Sequence, residues 1–248
     1  MTGAQTGRRR FRRLPSGRRR EEIISAAAAM FGARPEHEVT IDDVAAAAGT
    51  SRSSVYRFFD GRQELYGAVA RRVGDELLER MHRVTDGPPS LLLRARLGIY
   101  FDFVAENAGG WGGVLGSGAA HAAEAAQTVL QEVRDRACAL TLATLGAEEA
   151  SPVLRGTVQA WITGVEWASA EWARTGRPER AELERLLAAH LAGMLVGAAA
   201  LDPGAAERLA WLAHQEPADS SFGTLVRLIG HRVGGRELTN LARFLGHG

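Results

Sequence analysis

Lysine is absent from this chain. All 30 basic residues are arginine, so every cationic contact it makes uses a planar, permanently charged fork. Cysteine occurs once, at Cys138, which excludes an internal disulfide and a cysteine-built metal cluster and suits a reducing cytoplasm. Its setting, RDRACALTL, places no base beside the thiol and reads as a buried structural cysteine. The seven histidines never fall at His-x-x-x-His spacing, so neither a metal site nor a helical enzyme is supported; no catalytic residue and no cofactor is expected. No stretch alternates with period two, so strands are not expected. The longest apolar run, His190–Leu201, is too short and too polar at its start to cross a bilayer, and no membrane partner is expected. The first twenty residues are basic with no apolar segment behind them, unlike a signal peptide, and a cytoplasmic location is expected.

What is present is 248 residues, 46% of them hydrophobic, enough for a large core and for two domains. Charge is unevenly spread. Eight arginines and no acid lie in residues 1–20; the remainder holds 22 arginines against all 29 acids, a net of −7. A basic arm on a mildly acidic body fits a nucleic-acid partner; a solvated tail is the plainer alternative.

Residues 1–17, rich in Arg, Gly, Pro and Ser, read as a disordered arm. From Arg18 the pattern is helical nearly throughout, dominated by Ala and Leu, so the fold class is all-α. A first helix is predicted at about Arg18–Phe31, with Ile24, Ala27, Ala28 and Phe31 on one face. Thr40 N-caps a second, with Asp43 at the capping-box position and Val39 and Val44 as a staple. Gly49 ends it at the left-handed C′ position, and Ser51 caps a third helix over Arg52–Phe59. A longer helix follows, from Arg62 to about Val84. DGPPS, Asp86–Ser90, marks the boundary to a larger helical unit over residues 90–201. Its helices are expected at Leu91–Glu106, around Trp111–Leu115, and at Ala119–Leu145, Pro152–Thr175 and Glu179–Leu201. Residues 205–248 form a tail of short amphipathic, basic segments that cover the core, extend the dimer interface or touch a membrane surface, the first being the favoured reading.

The second and third helices are joined by Gly49-Thr50-Ser51, which is helix-turn-helix grammar. Such a motif lays its second helix in the major groove of DNA. Ser53 and Ser54 are small enough for close approach, Arg52 and Arg57 suit phosphate or guanine edges, and Tyr56 offers a hydroxyl. Val55 and Phe59 anchor the inner side.

From Ile23 to about Val69 the sequence resembles the tetracycline-repressor family of bacterial regulators. IISAAAAMF is followed by the capping Thr40 in TIDDVAAAAGTSRSSVYRFFDGRQELY, with Ala48, Gly49, Ser51, Tyr56, Phe59, Arg62, Glu64 and Leu65 in the family's register. The resemblance implies a three-helix DNA-binding head over residues 18–66, its linker helix reaching about residue 84. It implies phosphate contacts from Thr40, Tyr56 and Arg62, and Thr50, Ser51, Arg52, Ser53, Ser54 and Arg57 at the groove. Two positions depart: Pro35 stands where the family has glycine, and Arg62 where it has lysine.

The family's members are dimers, built mainly on the last two core helices. Here that implies Val165, Leu183, Leu187, Leu191, Met194 and Leu195 at a dimer face, beside the small residues Ala188, Ala192 and Gly193. The family encloses an effector cavity in this domain. Candidate lining residues are Tyr100, Phe103, Trp111, His121, Gln127, Trp161 and Glu166, with Asp102 as a further polar group. YFDFVAENAGGW resembles regulators of fatty-acid metabolism, which implies a small, largely hydrophobic, acyl-type effector. The expectation is a homodimeric repressor that binds palindromic double-stranded DNA and is released by that effector. A constitutive DNA-binding regulator without a ligand is the alternative.

Overall fold

The computed structural model describes residues 16–107, 124–217 and 223–224. Among these the elements are helical: α1 Ser16–Ala33, a 3-10 turn Glu36–Glu38, α2 Ile41–Ala47, α3 Arg52–Tyr56, α4 Arg62–His82, α5 Pro89–Glu106, α6 Glu124–Thr144, α7 Pro152–Thr175, α8 Arg180–Leu201 and α9 Pro203–Gln215. Helices α1 to α3 form a head. Helix α4 packs on α1 at one end and on α5 and α6 at the other, so it belongs to both head and body.

The head is small and tightly filled. Ile23, Ala27 and Phe31 of α1 meet Val44 of α2, Val55 of α3 and Leu65 and Tyr66 of α4, all 1% exposed or less. Phe31 and Tyr66 stand edge to face with centroids 4.9 Å apart. Pro35, the departure from the family pattern, starts the 3-10 turn: Glu38 N donates to its carbonyl at 3.0 Å. Rings lock φ at values such a turn accepts, so a glycine is not required there.

Two helices begin or end as their sequences dictate. Thr40 Oγ1 accepts from Asp43 N at 3.1 Å, and Asp43 Oδ2 accepts from Thr40 N at 3.1 Å, a full capping box. Gly49 takes φ +60°, and a Cβ there would meet nothing within 4 Å, so conformation rather than space demands glycine. Ser51 Oγ accepts from Ser54 N at 3.2 Å and starts α3. The third helix is shorter than the expected Arg52–Phe59: α3 ends at Tyr56, and the chain turns through Arg57 and Phe58. Phe59 N still donates to the Val55 carbonyl at 3.1 Å, which keeps Phe59 under the helix and buried.

In the body, α5, α7 and α8 pack together, α6 lies between α4 and α7, and α9 covers α8. Helix α9 buries Ala205, Leu209 and Leu212, starting from the Asp202 cap that also accepts from Ser151 Oγ at 2.7 Å. The expected piece at Trp111–Leu115, the start of the Ala119–Leu145 helix and most of the tail beyond 217 lie outside the described residues. Helix α8 is 22 residues long and holds an 18-residue window of mean hydropathy 1.3, so by length and composition alone it could cross a bilayer. Its leucines are used otherwise. Leu183, Leu187, Leu191 and Leu195 are at most 5% exposed because α5, α7 and α9 cover them.

Candidate functional site

Two places carry chemistry: the outer edge of the head and the space between α4 and the body.

On the head, the cap at Ser51 points α3 outward. Arg52, Ser53, Tyr56 and Arg57 are exposed, Ser54 is half-buried, and Val55 and Phe59 face inward. Thr40, Thr50 and Ser51 flank this edge, Thr40 and Ser51 exposed and Thr50 half-buried. The alternation follows from one helical turn with an apolar residue at every fourth position. Arg52 is held from two sides. Its Nη1 donates to Asp42 Oδ2 at 2.8 Å, its Nη2 reaches the Tyr56 hydroxyl at 3.4 Å, and its guanidinium lies 5.5 Å over the Tyr56 ring. The Tyr56 bond and the Asp42 charge hold it above the usual arginine range. Arg57 stacks 4.9 Å over Phe58. Arg62 is turned differently from an open phosphate contact: its Nη1 donates to the Glu36 carbonyl at 3.3 Å and its Nε lies 3.6 Å from Glu36 Oε1. Asp42 and Glu36, the two acids that set these arginines, carry no motif signal; only the fold brings them near.

Between α4, α5, α6 and α7 lies a cavity of about 90 Å³. Its walls are apolar, with Leu77, Leu78 and Met81 from α4, Leu93, Leu97 and Tyr100 from α5, Val133, Ala137 and Leu140 from α6, and Trp161, Ile162 and Val165 from α7. Arg96, Arg134, Thr141, Thr144 and Glu166 are its polar members. Arg134 Nε donates to both Glu166 oxygens, at 2.9 and 3.0 Å. Burial raises the Glu166 carboxyl above its ordinary range, opposed by those bonds. Burial likewise raises the Tyr100 hydroxyl, which stays neutral and lies 3.5 Å from Ser169 Oγ.

Of the effector candidates, Tyr100, Trp161 and Glu166 meet at this cavity. Phe103 is buried away from it and Gln127 is exposed; neither lines it. Asp102 is bonded to Arg180 Nη1 at 2.5 Å and is also not part of the wall. Trp111 and His121 lie outside the described residues. The α4 and α6 walls escape a sequence reading because their period shows a buried face without showing what it faces. Among the described residues no cluster of three metal-ligating side chains occurs.

The residues expected at a dimer face divide. Val165 lines the cavity, and Leu191 and Leu195 sit inside the protomer core. Leu183, Leu187 and the half-buried Met194 form the floor of an outward groove between α7 and α8, whose rim is Gly164, Trp167, Leu186, His190 and Gly193. Trp167 is 67% exposed and Leu186 45%.

Residues 23–69 match the family model for bacterial regulatory proteins of the tetR family, and residues 89–194 match the tetracyclin repressor-like C-terminal domain. A crystal structure of a tetR-family transcriptional regulator from Streptomyces coelicolor is 32% identical, with TM-score 0.76, over 89% of this chain and 100% of that one. The transcriptional activator FasR of Mycolicibacterium smegmatis is 34% identical over 109 residues, 42% of this chain and 49% of that protein, so the chain spans about half the length of this curated relative. FadR from Bacillus subtilis, solved in complex with stearoyl-CoA, shares the fold at 15% identity, TM-score 0.55, over 70% and 96% of the two chains.

Proposed function

This chain belongs to the tetR family of bacterial transcriptional regulators, DNA-binding proteins rather than enzymes, and on that premise we propose that it is a cytoplasmic homodimeric repressor, released from a palindromic operator by a small, largely hydrophobic effector. The observation that carries the reading is the outer edge of α3. Arg52, Ser53, Tyr56 and Arg57 are exposed on one short helix whose Val55 is fully buried beneath them. Thr40, Thr50, Ser51 and Ser54 complete that edge, and Arg62 reaches it by leaving Glu36. Phosphate contacts set the register and Arg52 and Arg57 read bases. The arginines of residues 1–17 add sequence-independent phosphate contacts.

One such helix reads only a few base pairs, and two-fold symmetry doubles the site with a spacing of about 34 Å. The groove between α7 and α8 is the proposed dimer face, with Leu183, Leu187 and Met194 beneath its rim. The apolar cavity is the proposed effector site, and Tyr100, Trp161 and Glu166 are its members from the sequence. The same fold holds stearoyl-CoA in FadR of Bacillus subtilis, and an acyl-type ligand suits these walls. A constitutive regulator without ligand has one observation in its favour: about 90 Å³ is well below the roughly 300 Å³ of an open ligand pocket. An effector must therefore part the helices, and that is also what would give it different affinity for two states.

Selection of duplexes from a random pool tests the reading. The expected product is a palindrome bound by two protomers, with affinity falling steeply as salt rises. Deleting residues 1–17 should weaken binding to all duplexes alike. Absence of any enriched sequence would overturn the assignment, and a reporter driven by the selected duplex distinguishes repression from activation.

A further inference from the structure

Arg96 stands where the cavity meets the C-terminal end of α4. Its Nε donates to the Met81 carbonyl at 3.2 Å, its Nη2 to the Val84 carbonyl at 2.9 Å, and its Nη1 to the Thr144 hydroxyl. The Met81 carbonyl lies in the last turn of α4 and also accepts from Val84 N at 3.2 Å, and the Val84 carbonyl lies two residues past the helix, so both sit at its dipole-negative end. One side chain of α5 thus ties the end of α4 to α6. The two cavity arginines differ in their partners. Arg134 is engaged by the Glu166 carboxylate, whereas Arg96 has only neutral acceptors, and among the described residues no carboxylate acts on it. Burial alone lowers its proton affinity, the mark of a cation whose surroundings leave its charge unbalanced. A carboxylate bonded to a guanidinium makes shorter bonds, roughly twice as strong as those from neutral carbonyls.

We propose that Arg96 reads the head group of the effector, that the effector is a monocarboxylate with an alkyl body, and that its carboxylate draws the guanidinium away from Met81 and Val84 and frees the end of α4. The proposal rests on the reading of this cavity as the effector site. The remaining wall is what an alkyl body requires, with Leu77, Leu97, Leu140 and Ile162 around it. The volume of about 90 Å³ is well below the roughly 300 Å³ of an open ligand pocket, so a longer chain separates α4 from α6 as it enters. Separation has a pivot. Gly74 of α4 approaches α6 so closely that a Cβ would lie 2.4 Å from Val133 Cγ2. Gly74 lies eight residues before His82 and twelve after Arg62, about 12 Å and 18 Å along the helix. A displacement at the Arg96 end therefore reaches the head enlarged about one and a half times on this geometry.

The test uses the full chain, its selected duplex, and two ligand series of equal length: hexanoate, octanoate and decanoate against their methyl esters. Duplex affinity and amide exchange over residues 77–86 are read together. The acids are expected to weaken duplex binding at least tenfold and to raise exchange at the end of α4, and the esters to do neither. In Arg96→Gln the acids lose their effect and exchange at the end of α4 is raised without them. Should Arg96→Gln fail to fold, Arg96→Lys decides, since it keeps the charge but lacks the planar fork whose three nitrogens reach Met81, Val84 and Thr144: exchange must be raised before any acid is added. Esters acting as well as acids, or acids acting undiminished on Arg96→Gln, would overturn the role of Arg96 and leave the effector cavity standing. Neither series altering duplex affinity would overturn both.

Discussion

Arg52 and Glu166 show how one neighbour decides what a charged side chain can do. Arg52 is exposed, so its pair with Asp42 matters little for stability, but it fixes where the guanidinium points. Asp42→Asn is expected to lower the melting temperature only slightly, through the first turn of α2, and to raise affinity for scrambled duplexes, because a negative charge leaves the edge proposed to face phosphate. Discrimination between selected and scrambled duplexes should fall, since Arg52 is no longer aimed; paired titrations at two salt concentrations measure both effects. Glu166 is the opposite case, buried and bonded twice to Arg134. Its native carboxyl lies above the ordinary value because burial outweighs those bonds. The folded state therefore binds the proton more tightly than the unfolded chain does. The stability it contributes is present below the unfolded pKa and is lost as pH rises through the native one. Melts from pH 4 to 7 should show this decline in the parent protein and a flatter profile in Glu166→Gln. At pH 7 the variant replaces the ionised carboxyl, the costlier form in this site, by a neutral amide whose oxygen can still accept from Arg134, so it should melt no lower than the parent protein.

At the scale of elements, helix ends were legible and helix partners were not. Thr40, Gly49 and Ser51 announce their roles because caps act within four residues of chain, and the structure places each at the expected cap. The third helix reads three residues longer in the sequence than it is, because Val55 and Phe59 share a face; that spacing holds even where the backbone has begun to turn. Gly74 had no legible purpose. Inside RRVGDELLER it only weakens a helix, and its reason, Val133, lies 59 residues away. Likewise the leucine stripe of α8 reads as a dimer face, whereas Leu191 and Leu195 are buried within their own chain. Periodicity says which residues share a face and is silent about what covers it. Gly74→Ala tests the close approach. Its methyl would meet a β-branched side chain with little freedom to turn, so a loss of about 1–3 kcal/mol is expected. Adding Val133→Ala should recover most of that loss; urea melts of the four proteins of the cycle give the coupling.

For the whole molecule, the outer side of α7 and α8 is the face proposed above for a second copy. Gly164 and Gly193 are exposed in helix interiors, and a Cβ on either would meet nothing within 4 Å. Each weakens its helix by about 1 kcal/mol relative to alanine, with no return inside one protomer. Trp167 and Leu186 stand beside them, exposed. A second copy packed backbone to backbone would use both features, the glycines for close approach and the apolar side chains for burial. Gly164→Leu with Gly193→Leu is accordingly expected to leave helix content unchanged while sedimentation equilibrium shifts from dimer to monomer. DNA binding then separates two roles. Affinity for an isolated half-site depends on the head alone and should not change. Affinity for the full palindrome depends on one dimer engaging both halves, an effect worth roughly 100-fold or more for linked sites, and should collapse toward the half-site value. A double variant that stays dimeric, or a monomer that keeps full palindrome affinity, would show that this face joins no second copy on DNA.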